Sequence, residues 1–246
     1  MSKKTNYSYI GIAFIILVFG IIFIPRIVDR ISNDDISRQE SRSDLKEEIV
    51  KQSDLVFIPN GESFRKVPAF SFINQNGKTI TNKDYEGKVY VIEFFFTTCP
   101  TICPRMNRNL IQIQKEFEGF EDFGVASFTI NPQHDTSEVL KAYADQYGVT
   151  NPNWHLMTGD KDAIYKLSNE GFYIYAAAND DVEGGFEHSG NFALIDKNGF
   201  IRSRVVNGNP IIYYNGITSE SEKIDEDGKA EEISALKADI KKLLNE

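Results

Sequence analysis

Cysteine is nearly absent from this chain: Cys99 and Cys103 are the only two in 246 residues. So few, so close together, exclude a disulfide scaffold and turn attention to local thiol chemistry. Positive charge is short as well, with 27 Lys and Arg against 36 Asp and Glu, a formal net charge of −9. Lys3, Lys4, Arg26 and Arg30 against Asp29 give the first thirty residues +3, leaving −12 for the rest. A body that acidic is poorly suited to holding phosphate backbones, so nucleic-acid binding is set aside. Histidine is limited to His134, His155 and His188, and no internal repeat is visible. What is not lacking is apolar material. Hydrophobic residues make up 41% and aromatics 12%, enough for a real core and too much for a chain disordered throughout.

One long uncharged run stands out. Tyr7 to Ile24 reads YSYIGIAFIILVFGIIFI, which as a helix would reach about 27 Å, just enough for a bilayer core. Lys3 and Lys4 precede it, and Tyr7 and Tyr9 fall where interfacial aromatics belong. No small-x-small cleavage site follows; the next residues are Pro25-Arg26-Ile27-Val28-Asp29. Residues 1–28 therefore read as an uncleaved membrane anchor with its transmembrane helix at about 7–24. The short N-terminus has no Arg- and Ser-rich transit segment, which favours a bacterial cytoplasmic membrane. Residues 29–56 are mostly Ser, Asp, Glu, Arg and Lys, with Ile36, Leu45 and Ile49 too sparse to bury a face, so they read as a polar tether. The folded domain is expected over 57–246.

Within that domain, Phe70 to Ile73 and Thr79 to Thr81 flank Asn76-Gly77, a strong hairpin signal. Val89 to Phe96 is an apolar run broken only by Glu93, as in a central strand buried on both faces. Pro104 suits a first helical position, and Met106, Leu110, Ile113 and Phe117 follow at helical spacing. Val125 to Ile130 reads as a strand, Ser137 to Tyr147 as a helix, Trp154 to Met157 as a short apolar segment and Lys161 to Leu167 as a helix. Phe192 to Ile195, Asn198-Gly199 and Ile201 to Val206 predict a second hairpin, and Ala230 to Leu244 an amphipathic C-terminal helix. Strands alternating with helices, plus hairpins, give an α/β sandwich with a mixed central sheet.

The two cysteines fall where the apolar run gives way to the helical pattern. A strand should deliver them to a helix mouth, where free N–H groups and the helix dipole favour thiolate over thiol. On a helix, positions four apart share a face, so both sulfurs could meet one ion. Thiolates are nucleophiles and ligands alike, which leaves both redox chemistry and soft-metal binding open. A Cys-x-x-Cys spacing would suit a dithiol–disulfide cycle better than the spacing found here.

Four segments in this order, FFFTTCPTICP, INPQHDTSEVLKAYADQYGV, WHLMTGD and EHSGNFALIDKNGF, resemble the Sco/SenC family of copper-delivery proteins, over roughly residues 65–207. The resemblance implies a thioredoxin-like fold and a copper site. In that family a Cys-x-x-x-Cys pair and one distant His bind the metal, which carries over to Cys99, Cys103 and His188. It further implies one copper ion per chain, as Cu(I) or Cu(II), and an extracytoplasmic, periplasmic domain. The implied partner is the copper-accepting subunit of cytochrome c oxidase or another copper protein. His188-Ser189-Gly190-Asn191 stands where thioredoxin-like oxidoreductases usually carry a cis-proline, so a potential ligand replaces a thiol-reductase element.

The remaining candidates read more plainly. His134, before a helix, His155, on a short apolar segment, and Met106, at helical spacing, are expected outside any metal site. Asn131 departs from the family, which often has an aspartate there; Asp135 matches a second acid and reads as a cap on the following helix. Asn179 to Glu187 carries four acids next to His188, either a solvated glycine-hinged loop or a lid that brings His188 to the metal. Two other readings of the chain remain open: an extracytoplasmic thiol–disulfide reductase acting through Cys99 and Cys103, and a copper-dependent redox sensor. Nothing else in the sequence specifies peroxide chemistry.

Overall fold

The computed structural model describes Leu17, Phe19 and residues 55–246 except Asp180, Asn207 and Gly208. The expected membrane helix therefore lies outside the described residues, apart from Leu17 and Phe19, which are helical and exposed. The tether lies outside them up to residue 54. Among the described residues, no helix is long and apolar enough to cross a membrane. Residues 1–49 and 50–246 form separate units, and the second holds the central sheet and the candidate site.

That second unit begins with β1 (Leu55–Phe57), a small hairpin of β2 (Pro59–Asn60) and β3 (Ser63–Phe64), then β4 (Ser71–Asn74) and β5 (Thr79–Thr81). Next come β6 (Val89–Phe95), α1 (Cys103–Glu116), β7 (Phe123–Thr129), α2 (Ser137–Tyr147), β8 (Trp154–Thr158) and α3 (Lys161–Lys166). A π-helical turn (Leu167–Phe172) leads to β9 (Ala176–Ala178) and β10 (Phe186–His188). The chain closes with β11 (Asn191–Ile195), β12 (Ile201–Val206), β13 (Asn209–Ile211), β14 (Tyr214–Asn215) and α4 (Ile233–Leu244).

The main sheet runs β1-β12-β11-β6-β7-β8-β4-β5, with β13 added to β12 and β14 to β11. β6, β7 and β8 are parallel; the other pairings are antiparallel. The sheet is thus mixed, as the alternation of elements predicts. Every residue of β6 and β7 is buried, which is why both read as near-continuous apolar runs. α1 turns Met106, Leu110 and Ile113 inward at 0% exposure, and α4 contributes Ile233, Leu236 and Ile240. α4 packs on β6 and α1, while α2 packs on β8 and β4.

Both hairpins form where expected. Gly77 sits at φ +72° in the β4–β5 turn, a conformation that favours glycine, and its N–H reaches Asn74 O at 2.9 Å. β11 pairs with β12 through Leu194–Arg202 and Ile195–Ile201.

One expectation needs correction. Cys99 is not on the helix: α1 starts at Cys103, and residues 99–102 form a non-helical turn ahead of it. A shared helical face is therefore not what brings the sulfurs together. Among its described residues, the acidic segment before His188 is mostly turn and bend. Its end, Phe186 to His188, pairs with Ala176 to Ala178 as a two-stranded sheet.

Candidate metal centre

β6 delivers the chain through Phe96-Thr97-Thr98 to Cys99 at the C-terminal edge of the parallel strands. The turn that follows returns the backbone to Cys99: the Cys103 N–H donates to Cys99 Sγ at 3.4 Å. This bond exists because Cys103 is the first residue of α1, where backbone N–H groups lack helical partners. Cys103 is wholly buried, while Cys99 retains 8% exposure at the mouth of a cleft of about 400 Å3. Phe96, Ile102, Tyr175, Phe186 and His188 also line that cleft.

His188 arrives from the other side, at the end of β10. Its Nε2 lies 3.1 Å from Cys103 Sγ, across 85 positions of sequence. Phe96 packs beneath it, edge to face at 5.9 Å, and also against Phe186 at 5.2 Å. The candidate ligand atoms of Cys99, Cys103 and His188 all fall within 4.8 Å of one another. Bonds of about 2.0–2.3 Å to imidazole and thiolate require donors within about 4.6 Å, so small side-chain adjustments separate this arrangement from a closed three-ligand site. Two sulfurs and one imidazole are soft and borderline donors, matched to copper or zinc rather than to magnesium or calcium.

The two thiols are electrostatically unequal. Hydrogen bonds from the Cys103 thiol, then from His188, the Cys103 N–H and Thr101, hold Cys99 well below the usual thiol range, against the effect of burial. Burial, followed by the neighbouring Cys99, pushes Cys103 up. These interactions favour Cys99 as the thiolate and Cys103 as its proton-bearing partner.

The other sequence candidates lie elsewhere. Met106 is buried in the core on α1. His155 sits on β8, with Nδ1 3.2 Å from Asn74 Nδ2 and its ring against Tyr85 at 5.7 Å. His134 is bonded through Nδ1 to Asp135 at 2.8 Å.

Asp135 is the residue that sequence reasoning misplaced. Thr136, not Asp135, caps α2, accepting from Val139 N. The Asp135 carboxylate is fully buried and turned toward the thiol loop, accepting from Thr97 N at 3.1 Å and from the hydroxyls of Thr97 and Thr129. Only the crossing of β6 beside β7 creates this pairing, so local sequence carried no signal for it.

A mixed α/β sheet that presents two thiols at the end of a central strand, with an imidazole opposite, defines a thioredoxin-like protein with a candidate soft-metal centre. The family model SCO1/SenC matches residues 59–217, and the chain belongs to that family. It is 31% identical to a SCO1/SenC family lipoprotein from Bacillus anthracis, with a TM-score of 0.60 over 73% of this chain and 95% of that one. BsSco, described as having a disulfide switch and as a member of the Sco family of cytochrome c oxidase assembly proteins, matches at 25% identity and a TM-score of 0.59, covering 73% and 94%. A curated SCO1 protein homolog from Bacillus subtilis is 35% identical over 95 residues, 38% of this chain and 49% of the homolog. The chain spans about half to two thirds of the length of the first curated relatives it matches. Copper-bound Sco proteins are among the structures that share the fold.

Proposed function

We propose that this chain is a membrane-tethered copper carrier. Cys99, Cys103 and His188 hold one copper ion and pass it to a copper-accepting subunit of cytochrome c oxidase or to another copper protein. The observation that carries this reading is the convergence of two thiols and one imidazole within 4.8 Å at a cleft mouth. Two thiolates suit Cu(I), and the added imidazole accommodates Cu(II). The Cys99 thiolate meets the incoming ion first, and Cys103 gives up its proton as its sulfur joins. Three ligands leave a coordination position open, so an acceptor thiolate can bind before Cys99 or Cys103 lets go. The apolar run at residues 7–24 would anchor the domain, and the description of the Bacillus anthracis relative as a lipoprotein supports an extracytoplasmic face.

A second reading has its own support. Cys99 is a buried-edge thiolate with Cys103 beside it, as a dithiol reductant requires, and BsSco is described as having a disulfide switch. The two readings part at His188, which thiol exchange does not need. Copper titration of the reduced, anaerobic protein beside His188→Ala decides between them. One tightly held Cu(II) with thiolate charge-transfer bands that vanish in the variant supports delivery; binding indifferent to His188 supports exchange.

A further inference from the structure

His188 sits on a two-stranded hairpin, and such a unit is at best marginal by itself. In its register Ala176 faces His188, Ala177 faces Glu187 and Ala178 faces Phe186. Bonds from Asn179 N to Gly185 O at 2.9 Å and from Ser189 N to Tyr175 O at 3.2 Å frame the ladder. Antiparallel pairs alternate between those that exchange backbone bonds and those that do not. Counting inward from either end makes Ala177–Glu187 an exchanging pair, so the N–H and C=O of Ala176 point away from β10.

Both outward groups are met by one side chain. Ala176 N donates to Asn169 Oδ1 at 3.1 Å, and Asn169 Nδ2 donates to Ala176 O at 2.9 Å. A primary amide thus takes the place of a third strand at the residue opposite His188. The same Nδ2 donates to Tyr165 O at 3.1 Å, tying the amide to α3. Asn169 can reach because it lies in the π-helical turn, whose widened backbone redirects the side chains of one turn. Its neighbour Ser168 grips the chain just before β9, accepting from Ile174 N at 3.0 Å and donating to Ile174 O at 2.5 Å. Among the described residues, Asn169 is the side chain that hydrogen-bonds the β9 backbone. Phe96 supports the rings of Phe186 and His188 from below.

We propose that Asn169 is a positioning residue for metal binding: its amide completes the β9–β10 hairpin and so sets His188 over Cys103. The inference rests on the reading of His188 as a copper ligand. The thiols are positioned separately, Cys103 by the start of α1 and Cys99 by the loop that follows β6.

The test compares wild type, Asn169→Ala, Asn169→Asp, His188→Ala and the Asn169→Ala/His188→Ala double variant as full-length reduced protein. Asn169→Asp keeps the acceptor for Ala176 N but sets a carboxylate against Ala176 O, and it keeps side-chain volume should the alanine variant fold poorly. Both Asn169 variants should lose about ten- to a hundredfold in Cu(II) affinity, the range for residues that orient a ligand. Cu(I) affinity and the thiol titre should stay at wild-type values, and amide exchange at Glu187 should quicken. In the His188→Ala background, Asn169→Ala should cost no further Cu(II) affinity. Wild-type Cu(II) binding in both Asn169 variants, or the same loss with and without His188, would overturn the inference. Undiminished Cu(II) binding by His188→Ala would instead remove the copper reading on which it stands.

Discussion

Thr97 and Asp135 are joined across 38 positions of sequence: the Thr97 backbone N–H donates to the Asp135 carboxylate at 3.1 Å, two residues ahead of Cys99. The Thr97 hydroxyl bonds the same carboxylate, and so does Thr129 on β7. One buried side chain thereby fixes the loop that presents the thiolate. Asp135→Ala strands these donors without an acceptor, and each unmet buried group costs about 1–3 kcal/mol. Urea unfolding should register a loss of about 2–4 kcal/mol, with faster alkylation of Cys99 as its loop loosens. A stability unchanged from wild type would mean that the carboxylate does not hold the loop.

Glu93 gives the domain a pH-dependent stability. It is fully buried on β6, with one oxygen accepting from Ser127 Oγ at 2.6 Å and the other without a partner. Burial pushes its carboxyl up to about 7, and the Ser127 hydrogen bond offsets only part of that. The folded value lies above the unfolded one, so between about pH 4 and about pH 7 the folded state holds a proton that the unfolded chain has released. Its stabilising contribution is full in acid, falls as pH rises through that window and is flat above it. Between about pH 4 and pH 8 the wild type should lose about 3 kcal/mol more than Glu93→Gln. Parallel stability curves for the two proteins would refute the assignment.

How much was legible in the sequence depends on the range of the forces involved. β6 and β7 announce themselves as apolar runs buried on both faces, α1 and α2 by apolar residues at helical spacing, and the Asn76-Gly77 turn because glycine meets a positive φ. Cys99 and Cys103 stand out as the only thiols, and His188 through its place in a familiar pattern. What stayed hidden depends on tertiary pairing. β9 and β10 are three residues each, too short for a periodic signal, and their alanines and acids suggest nothing of a strand. Asp135 precedes a helix in sequence and so resembles a cap, yet its partners come from the loop after β6 and from β7. Asn169 lies just past the helix read over Lys161 to Leu167, where a π-turn leaves no sequence signature.

The inequality of the two thiols should be visible in chemistry that involves no metal. Cys99 keeps 8% exposure and is favoured as thiolate by the Cys103 thiol and His188, whereas Cys103 has no exposure and is pushed toward the thiol form by burial. Substoichiometric iodoacetamide on reduced protein at about pH 6 should modify Cys99 almost exclusively, since the thiolate is the nucleophile. Peptide mapping reads the ratio, and equal labelling would contradict the assigned roles. Cys103→Ala should slow the reaction at Cys99, because it removes the strongest donor to that thiolate.

Gly184 tests whether the turn between β9 and β10 must lie against the thiol loop. Its φ is +92°, and a Cβ built there would stand 3.1 Å from both Phe96 Cε2 and Pro100 Cδ. Pro100 follows Cys99 directly and Phe96 underlies His188, so this close approach links the turn to both halves of the centre. Gly184→Ala meets two penalties, the left-handed backbone, of order 1 kcal/mol or more, and the crowding of two rigid rings. Neither ring can yield by a rotamer change, since Phe96 is packed against Phe186 and the proline has no free torsion. The turn should therefore lift, carrying β10 with it. Global stability should fall by only about 1–2 kcal/mol, while amide exchange at Phe186 and His188 quickens well beyond that of β6. Neighbouring Gly185 supplies the control: its φ is +79° but nothing lies within 4 Å of its built Cβ. Gly185→Ala should incur the backbone cost without displacing the hairpin. Equal exchange at His188 in the two variants would show that contact with Phe96 and Pro100 does not hold the turn in place.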